Sequence, residues 1–301
     1  MQTPAIVGGE AARRLREPLA INVAALVAAA TAAGSLGCSS AATLDQSCSQ
    51  TASGLDACPG NSVVHGVDVS TYQGAIVWSR ARAAGVAFAF ARVSDGLTVR
   101  DSQFADNWSA MKDAGVLRGA YQFFRAGEDP LAQASLAVSA LDEAGGLLAG
   151  DLPVVMDMET SDAQSSAMVQ AGMTIWLEAV TRATGRRPII YTSSATSSVI
   201  GSGFADYALW VANWGATCPS MPSGWSTWRF WQYSDRGAVS GISGSVDLDE
   251  FDGPLADLLT FAGVPTSDAD GADGPAVDAP NTDAPRTEEA GSPRHRQPCT
   301  Q

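Results

Sequence analysis

The chain has 301 residues, with 18 basic and 32 acidic side chains and a formal net charge of −14. Because Lys112 is its single lysine and no basic stripe runs along the sequence, nucleic-acid binding is not expected. The only histidines, His65 and His295, argue against Ser-His-Asp or Cys-His catalysis and against a His-rich metal site. Any acid–base chemistry therefore falls to aspartate and glutamate side chains.

Residues 1–38 predict an export signal. Three arginines at residues 13–16 precede an apolar run at residues 19–33, which ends in small residues before Cys38. The run is too short for a comfortable membrane span. The surroundings of Cys38 resemble a bacterial lipoprotein signal, in which the cysteine is lipidated; cleavage without lipidation is the alternative. The protein is expected to be exported, either as an outer-membrane or periplasmic lipoprotein attached through Cys38 or as a secreted protein.

Residues 39–62 are rich in Ser, Ala, Thr and Gly and predict a flexible linker. Export permits disulfides. Cys48 and Cys58 could close a small loop within this linker, whereas Cys218 and Cys299 could pair or stay free. The spacing of the cysteines does not decide between these connectivities.

Residues 63–263 alternate between strand-like and helix-like patterns and predict one domain. Strands are predicted at residues 63–70, 86–93, 116–124, 153–160, 187–192, 208–212, 228–233 and 245–251. Helices are predicted at residues 78–85, 101–115, 131–148, 168–184 and 255–261. Such alternation implies an α/β protein with a parallel sheet, and this many units imply a closed or nearly closed barrel.

Residues 153–160, PVVMDMET, carry the strongest chemical signal. Side chains alternate across a strand, so Asp157 and Glu159 should point to the same side, about 6.5 Å apart along it. Their repulsion and the apolar surroundings should raise at least one pKa. Such a pair is typical of a site where one carboxyl donates a proton while the other stays ionised. The alternative is a pair of exposed strand-end carboxylates, or a helix cap built from Thr160 and Ser161.

Asp68 and Asp247 also follow apolar residues at predicted strand ends. Chemistry in such barrels lies at the carboxyl ends of the strands. We therefore expect Asp68 and Asp247 to join Asp157 and Glu159 at one rim. Either residue alone could instead cap a helix or orient backbone.

Aromatic residues concentrate in the later strands, and their flat faces suit the apolar C–H faces of sugar rings. Most of these tryptophans should belong to the core, but Tyr121, Trp214 and Tyr233 are predicted to contact a ligand. Asn213 and Gln232 complete the predicted substrate-binding residues. A rim of carboxylates and aromatics favours a carbohydrate, and no metal or organic cofactor is expected.

Seven motifs follow one another within residues 63–261: GVDVSTYQG, FAFARVSDG, FADNWSAMKDAGVLRGAYQFF, VVMDMET, RPIIYT, LWVANWG and FWQYSDRGAVSGISGSVDLDEF. This series resembles glycoside hydrolase family 25, the Chalaropsis-type lysozymes. The resemblance implies an irregular, flattened TIM-like (β/α) barrel with an incomplete helix ring. It also implies a muramidase that hydrolyses the β-1,4 bond between N-acetylmuramic acid and N-acetylglucosamine in peptidoglycan.

The resemblance also assigns roles to individual residues. Glu159 matches the family's general acid, and Asp157 matches the carboxylate that orients or stabilises the substrate's own 2-acetamido group. Asp68 and Asp247 match two further acidic residues of the site, and Tyr121 matches an aromatic residue of the rim. All four acidic positions are filled, which favours an active enzyme.

Residues 264–301 form an acidic Asp/Ala/Pro-rich segment that cannot bury a core and is predicted to be a disordered tail. The expected partner is the glycan strand of peptidoglycan, and the protein is expected to be a monomer. Two other functions stay open: a non-catalytic peptidoglycan-binding module, and a hydrolase of another N-acetylated glycan such as chitin.

Overall fold

The structure is a computed structural model that describes residues 56–264. The predicted export signal with Cys38, most of the predicted linker with Cys48, and the predicted tail with Cys299 lie outside the described residues. Within the described range, no helix is both long enough and apolar enough to cross a bilayer.

The described residues form one sheet that closes into a barrel. Its strands are β1 (Val63–Val69), β2 (Phe88–Asp95), β3 (Val99–Arg100), β4 (Leu117–Phe123), β5 (Val155–Asp157), β6 (Ile189–Ser193), β7 (Ala208–Ala212), β8 (Phe230–Gly237) and β9 (Val246–Asp252). They lie in the order β1-β9-β8-β7-β6-β5-β4-β2-β3, and β1 also pairs with β2. Eight strands thus close the barrel, and β3 only adds a short hairpin to β2.

The prediction of a parallel sheet is wrong for the last strand, which runs in the opposite direction. The pairings from β1 through β2 and β4 to β8 are parallel, whereas β9 runs antiparallel to both β1 and β8. Only residues 238–245 connect β8 to β9. A connection this short, without a crossover helix, joins antiparallel strands.

The helix ring is incomplete, as predicted. Its members are α1 (Trp78–Ala83), α2 (Phe104–Asp113), α3 (Pro130–Glu143), α4 (Ser166–Thr184), α5 (Ser197–Ile200) and α6 (Leu255–Phe261). The first four helices cover the first half of the barrel, whereas α5 is a single turn and residues 213–229 contain no helix. Local sequence sets the long helices: Asp129 caps α3 before Pro130, and Gly185 ends α4 in a left-handed conformation.

An aromatic cluster fills the barrel interior. Phe90 stacks on Trp210 with ring centroids 4.5 Å apart, and Phe88 and Phe230 meet edge to face at 5.2 Å. All four side chains are buried. The barrel interior is therefore a packed core and not a channel.

Residues 56–62 lie against the barrel, although the sequence assigned them to the flexible linker. Cys58 forms a disulfide with Cys218, and Trp228 Nε1 donates a hydrogen bond to the Ala57 carbonyl at 2.6 Å. The possible pairing of Cys58 with Cys48, and that of Cys218 with Cys299, are therefore wrong. Sequence spacing could not show that the segment returns to the β7–β8 connection.

Substitution of Gly66 by alanine tests the packing of the interior. A Cβ at Gly66 would overlap the ring of Phe88, which is fully buried. We expect the Gly66→Ala variant to lose about 1–3 kcal/mol of unfolding free energy, measured by urea denaturation. The control is Gly203→Ala, where a Cβ would meet open space. Equal stability of the two variants would contradict this packing.

Reduction of the Cys58–Cys218 bond should destabilise the fold. The bond links residues 160 positions apart, so it restricts the unfolded chain strongly. Reductant should lower the unfolding free energy by about 2–4 kcal/mol in urea titrations. A Cys58→Ser/Cys218→Ser double variant should have the lower stability with or without reductant. If reductant still destabilised that variant, the effect would come from another source.

Candidate active site

A pocket of about 320 Å³ opens at the rim where the parallel strands end. Its walls carry five carboxyl groups and six aromatic rings, which are Asp68, Asp157, Glu159, Asp235, Asp247, Tyr72, Tyr121, Phe123, Tyr191, Trp210 and Trp214. The rim position follows from the strand directions, because the carboxyl ends of parallel barrel strands meet on one face. The structure thus brings together all four predicted acidic residues.

Asp157 is the last residue of β5, and Glu159 lies two residues beyond the strand. Asp157 is buried, and no donor among the described residues reaches its Oδ1. Glu159 is exposed to the pocket by surface area, although the protein around it still raises its pKa. The prediction of a strand over all of residues 153–160 was too long, and Glu159 is free to face the opening.

The two carboxyls have raised pKa values and share a hydrogen bond. Burial raises the pKa of Asp157 well above its usual range, and the charges of Glu159 and Asp68 add to the rise. Burial also raises the pKa of Glu159, but the hydrogen bond from Asp157 and the charge of Arg125 act in the opposite direction. Of the two, the pKa of Asp157 is the more strongly raised. The sequence analysis predicts the proton on Glu159.

Asp68 and Asp247 are direct cross-strand partners in the antiparallel pair β1–β9. Asp247 therefore lies at the beginning of its strand and not at the end, but it still reaches the same rim because β9 runs the other way. Burial raises the pKa of Asp68 well above its usual range, and the charge of Asp247 adds to it. Burial and the charges of Asp235 and Glu159 raise the pKa of Asp247 to about 6.

Gln232 links one acidic residue to the aromatic wall. Its Nε2 donates to Asp68 Oδ2 at 2.7 Å, and its Oε1 accepts from the Tyr191 hydroxyl and from Trp214 Nε1, both at 2.8 Å. Gln232 is buried at the bottom of the pocket, whereas Trp214 is 54% exposed at the edge. The predicted pocket positions of Tyr121, Trp214 and Gln232 thus agree with the structure.

Tyr233 and Asn213 lie outside the pocket walls, contrary to their predicted ligand contacts. Tyr233 follows Gln232, so its side chain takes the other face of β8 and packs edge to face on Trp231 at 5.8 Å. Asn213 Oδ1 accepts from the backbone N–H of Ser220 at 2.8 Å and holds the connection after β7. The predicted lipidation site, Cys38, lies outside the described residues.

The sequence analysis did not predict several residues of the pocket. Tyr191 lies near the end of β6 in the RPIIYT segment, where the strand-end pattern used for the aspartates could have found it. Trp210 was assigned to the core, and its ring does form the pocket floor. Arg92 lines the wall, pairs with Asp101 at 3.0 Å and lies 5.2 Å from the ring centroid of Tyr72. No sequence pattern indicated that Tyr72, 82% exposed, stands at the pocket edge.

The arrangement can transfer protons and hold a sugar. Carboxyls with raised pKa values serve as acids near neutral pH, and aromatic faces bind the apolar side of sugar rings. Among the described residues, no group of three or more His, Cys, Asp or Glu side chains is placed to hold a metal ion. A barrel with paired carboxyls and aromatics at its carboxyl-end rim defines a glycoside hydrolase.

Comparison with known proteins gives the family. The model of "Glycosyl hydrolases family 25" matches residues 67–242, more than half of the chain, and the chain belongs to this family. It is 37% identical to Lysozyme M1 of Streptomyces globisporus over 214 residues, which are 67% of this chain and 72% of that protein. It is 31% identical to the N,O-diacetylmuramidase of Chalaropsis sp over 206 residues, covering 61% of this chain and 96% of that one.

A solved structure supports the same assignment. The bacterial lysozyme from Streptomyces coelicolor matches with a TM-score of 0.63 and 35% sequence identity. The match covers 68% of this chain and 99% of that chain. The expected family and barrel fold are confirmed, and the protein is a glycoside hydrolase.

The raised pKa of Asp247 predicts a change of stability with pH. A carboxyl whose pKa is higher in the folded than in the unfolded state favours folding below about pH 4, and this contribution is lost as pH rises through about 6. The melting temperature of the Asp247→Asn variant minus that of wild type should rise by a few degrees between pH 4 and pH 7. The control is Asp206→Asn at an exposed position. A pH-independent difference between Asp247→Asn and wild type would contradict this.

Proposed function

We propose that this enzyme is a muramidase that hydrolyses the β-1,4 bond between N-acetylmuramic acid and N-acetylglucosamine in peptidoglycan. The observation that carries the proposal is the pair of carboxyls of Asp157 and Glu159, whose pKa values burial raises and which line a sugar-sized pocket together with Asp68 and Asp247. The similarity to Lysozyme M1 and to the Chalaropsis N,O-diacetylmuramidase supports this substrate.

Glu159 is the general acid in this proposal. The glycosidic oxygen takes a proton as its bond to the anomeric carbon breaks, and Glu159 is the exposed member of the pair, so it can reach that oxygen. Its pKa is raised by burial, which favours the protonated form that an acid needs. Arg125, held by Asp95 at 2.5 and 2.7 Å, limits this rise.

Asp157 supports the substrate's own nucleophile. The carbonyl oxygen of the 2-acetamido group attacks the anomeric carbon, and the acetamido N–H donates to Asp157. A donor at Asp157 favours its ionised form, so substrate binding shifts the shared proton from Asp157 to Glu159. This shift reconciles the more strongly raised pKa of Asp157 with an acid role for Glu159. Water then opens the cyclic intermediate, with Glu159 accepting its proton, and the anomeric configuration is retained.

Asp68 and Asp247 face the same space from β1 and β9. A transition state with oxocarbenium character carries positive charge at the anomeric carbon and ring oxygen, which carboxylates stabilise. Tyr121 and Trp214 offer flat faces and polar edges to the sugar rings on either side.

Export of this enzyme is part of the proposal. The Cys58–Cys218 disulfide supports an oxidising compartment, where peptidoglycan is also found. The signal segment before residue 38, lipidation of Cys38 and the monomeric state stay predictions from the sequence. Mass spectrometry of the N-terminal peptide from membranes tests the lipidation.

Substitution of Glu159 by glutamine tests the acid. Glutamine keeps the shape of the side chain but cannot donate the proton, so turnover of purified cell walls should fall on the order of 10²–10⁴-fold. Glu178→Gln, at an exposed position of α4, is the matched control and should retain wild-type turnover. A rate near wild type for Glu159→Gln would exclude its role as the acid.

The cleaved bond is identified from the products. Digested peptidoglycan is reduced with borohydride, and the new reducing ends are analysed after hydrolysis. A muramidase yields reduced muramic acid, whereas an enzyme that cuts the other glycosidic bond yields reduced glucosamine. Wall binding without any release of fragments would instead identify a binding module, and faster cleavage of chitin would replace the proposed substrate.

A further inference from the structure

A fifth acidic residue, Asp249, lies directly behind the pocket. In the register of β9 it pairs with Gly66 of β1 and with Gln232 of β8, two positions deeper in the barrel than Asp247. Because side chains two apart point to the same face, Asp249 faces the interior as Asp247 does. It has no exposed surface and is not part of the pocket wall.

The hydrogen bonds of Asp249 leave one of its two carboxyl oxygens without a donor. Its Oδ1 accepts from Trp210 Nε1 at 2.9 Å. No N–H or neutral hydroxyl among the described residues reaches its Oδ2. Across the sheet, the diagonal neighbour of Asp249 on the same face is Asp68, because Asp68 pairs with Asp247, two residues before Asp249. A hydrogen bond between these two carboxyls requires that one of them carries a proton.

The surroundings decide which carboxyl is protonated. No arginine or lysine of the described residues forms an ion pair with Asp68 or Asp249, so two buried negative charges would lack compensation. Asp68 opens to the pocket and already accepts from Gln232, which favours its ionised form. Asp249 is the more deeply buried of the two. Burial raises the pKa of Asp249 well above its usual range, and the charge of Asp68 raises it further, against the hydrogen bond from Trp210.

We propose that Asp249 is a positioning residue that keeps its proton at neutral pH and donates it to Asp68. Asp68 is then held between two donors, Asp249 from behind and Gln232 from the side, as an oriented carboxylate at the floor of the pocket. The effect on turnover rests on the proposed muramidase function, whereas the protonation of Asp249 does not. Trp210 completes the arrangement, because its Nε1–H fixes the other oxygen of Asp249.

The titration of Asp249 must be distinguished from that of the neighbouring groups. The groups that face Asp68 and Asp249 come from several elements and are Asp247 on β9, Asp157 on β5, Glu159 beyond β5, Tyr121 on β4 and Tyr191 on β6. Of these, the tyrosines have raised pKa values from burial and stay neutral near pH 7. The tests therefore compare variants of Asp249 with variants of the carboxyls.

Asparagine and leucine at position 249 distinguish positioning from packing. An amide at position 249 can donate to Asp68 and accept from Trp210, as a protonated carboxyl does, whereas leucine has a similar size and no donor. Asp249→Leu should lower kcat on peptidoglycan by about 10–100-fold, because Asp68 loses its orientation. It should also move the acid limb of the kcat/KM profile to higher pH, because Asp68 ionises less readily without its donor.

In the Asp249→Asn variant, the acid limb should stay at its wild-type pH, and most of the turnover that Asp249→Leu loses should be retained. If asparagine moved the limb as far as leucine does, the proton-donor role would be wrong. If both variants only lowered the melting temperature and left the limb unmoved, Asp249 would be a packing residue. Asp206→Asn and Asp206→Leu are the surface controls for the same substitutions.

Infrared spectroscopy without substrate decides the protonation even if leucine prevents folding. At neutral pH, the difference spectrum of wild type minus Asp249→Asn should contain the carbonyl stretch of a protonated carboxylic acid. A difference spectrum that contains only carboxylate stretches would overturn the proposal. Asp157→Asn, at a different buried acid, and Asp206→Asn, at an exposed one, are the references. Failure of wild type to cleave peptidoglycan would reject the proposed function and leave this result standing.

Discussion

The antiparallel pairing of β9 with both β1 and β8 is the interaction on which the site depends. It closes the barrel, and by reversing direction it brings the start of β9 to the same rim as the ends of the parallel strands. Asp247 thus lies opposite Asp68, and Asp249 lies behind both. A final parallel strand would have carried these two carboxyls to the rim in the opposite order, with Asp249 nearer the opening.

The closed barrel concentrates carboxyls that no cation fully neutralises. Arg92 is held by Asp101 and Arg125 by Asp95, so neither forms an ion pair with the carboxyls of the pocket floor. The floor beneath them is aromatic, which adds burial to the mutual repulsion, and the pKa values of Asp68, Asp157 and Asp249 all rise well above the usual range. Raised pKa values favour the protonated form of a carboxyl, which is the form that acid catalysis requires.

Parts of the fold and site were predictable because their signals are local. The bounds of β7 and α6 agree with the predicted ranges, since each apolar run has clear turn residues on both sides. The PVVMDMET segment indicated the acidic pair, because a buried strand that runs into two carboxyls is unusual by itself. Tyr233 and Asn213 were predicted to contact a ligand but lie outside the pocket walls, because an aromatic or amide near a strand end does not reveal which face of the sheet it takes.

The sequence by itself determined the order of strands and helices, the family resemblance and four of the five acidic residues of the pocket, because these depend on short-range patterns of apolar and charged side chains. Tertiary structure alone decided the antiparallel closure, the Cys58–Cys218 bond and the place of Asp249 behind Asp68. It also decided which carboxyls are buried deeply enough to have strongly raised pKa values. These properties depend on distances and burial among residues far apart in the chain, and such quantities exist only when the barrel is closed.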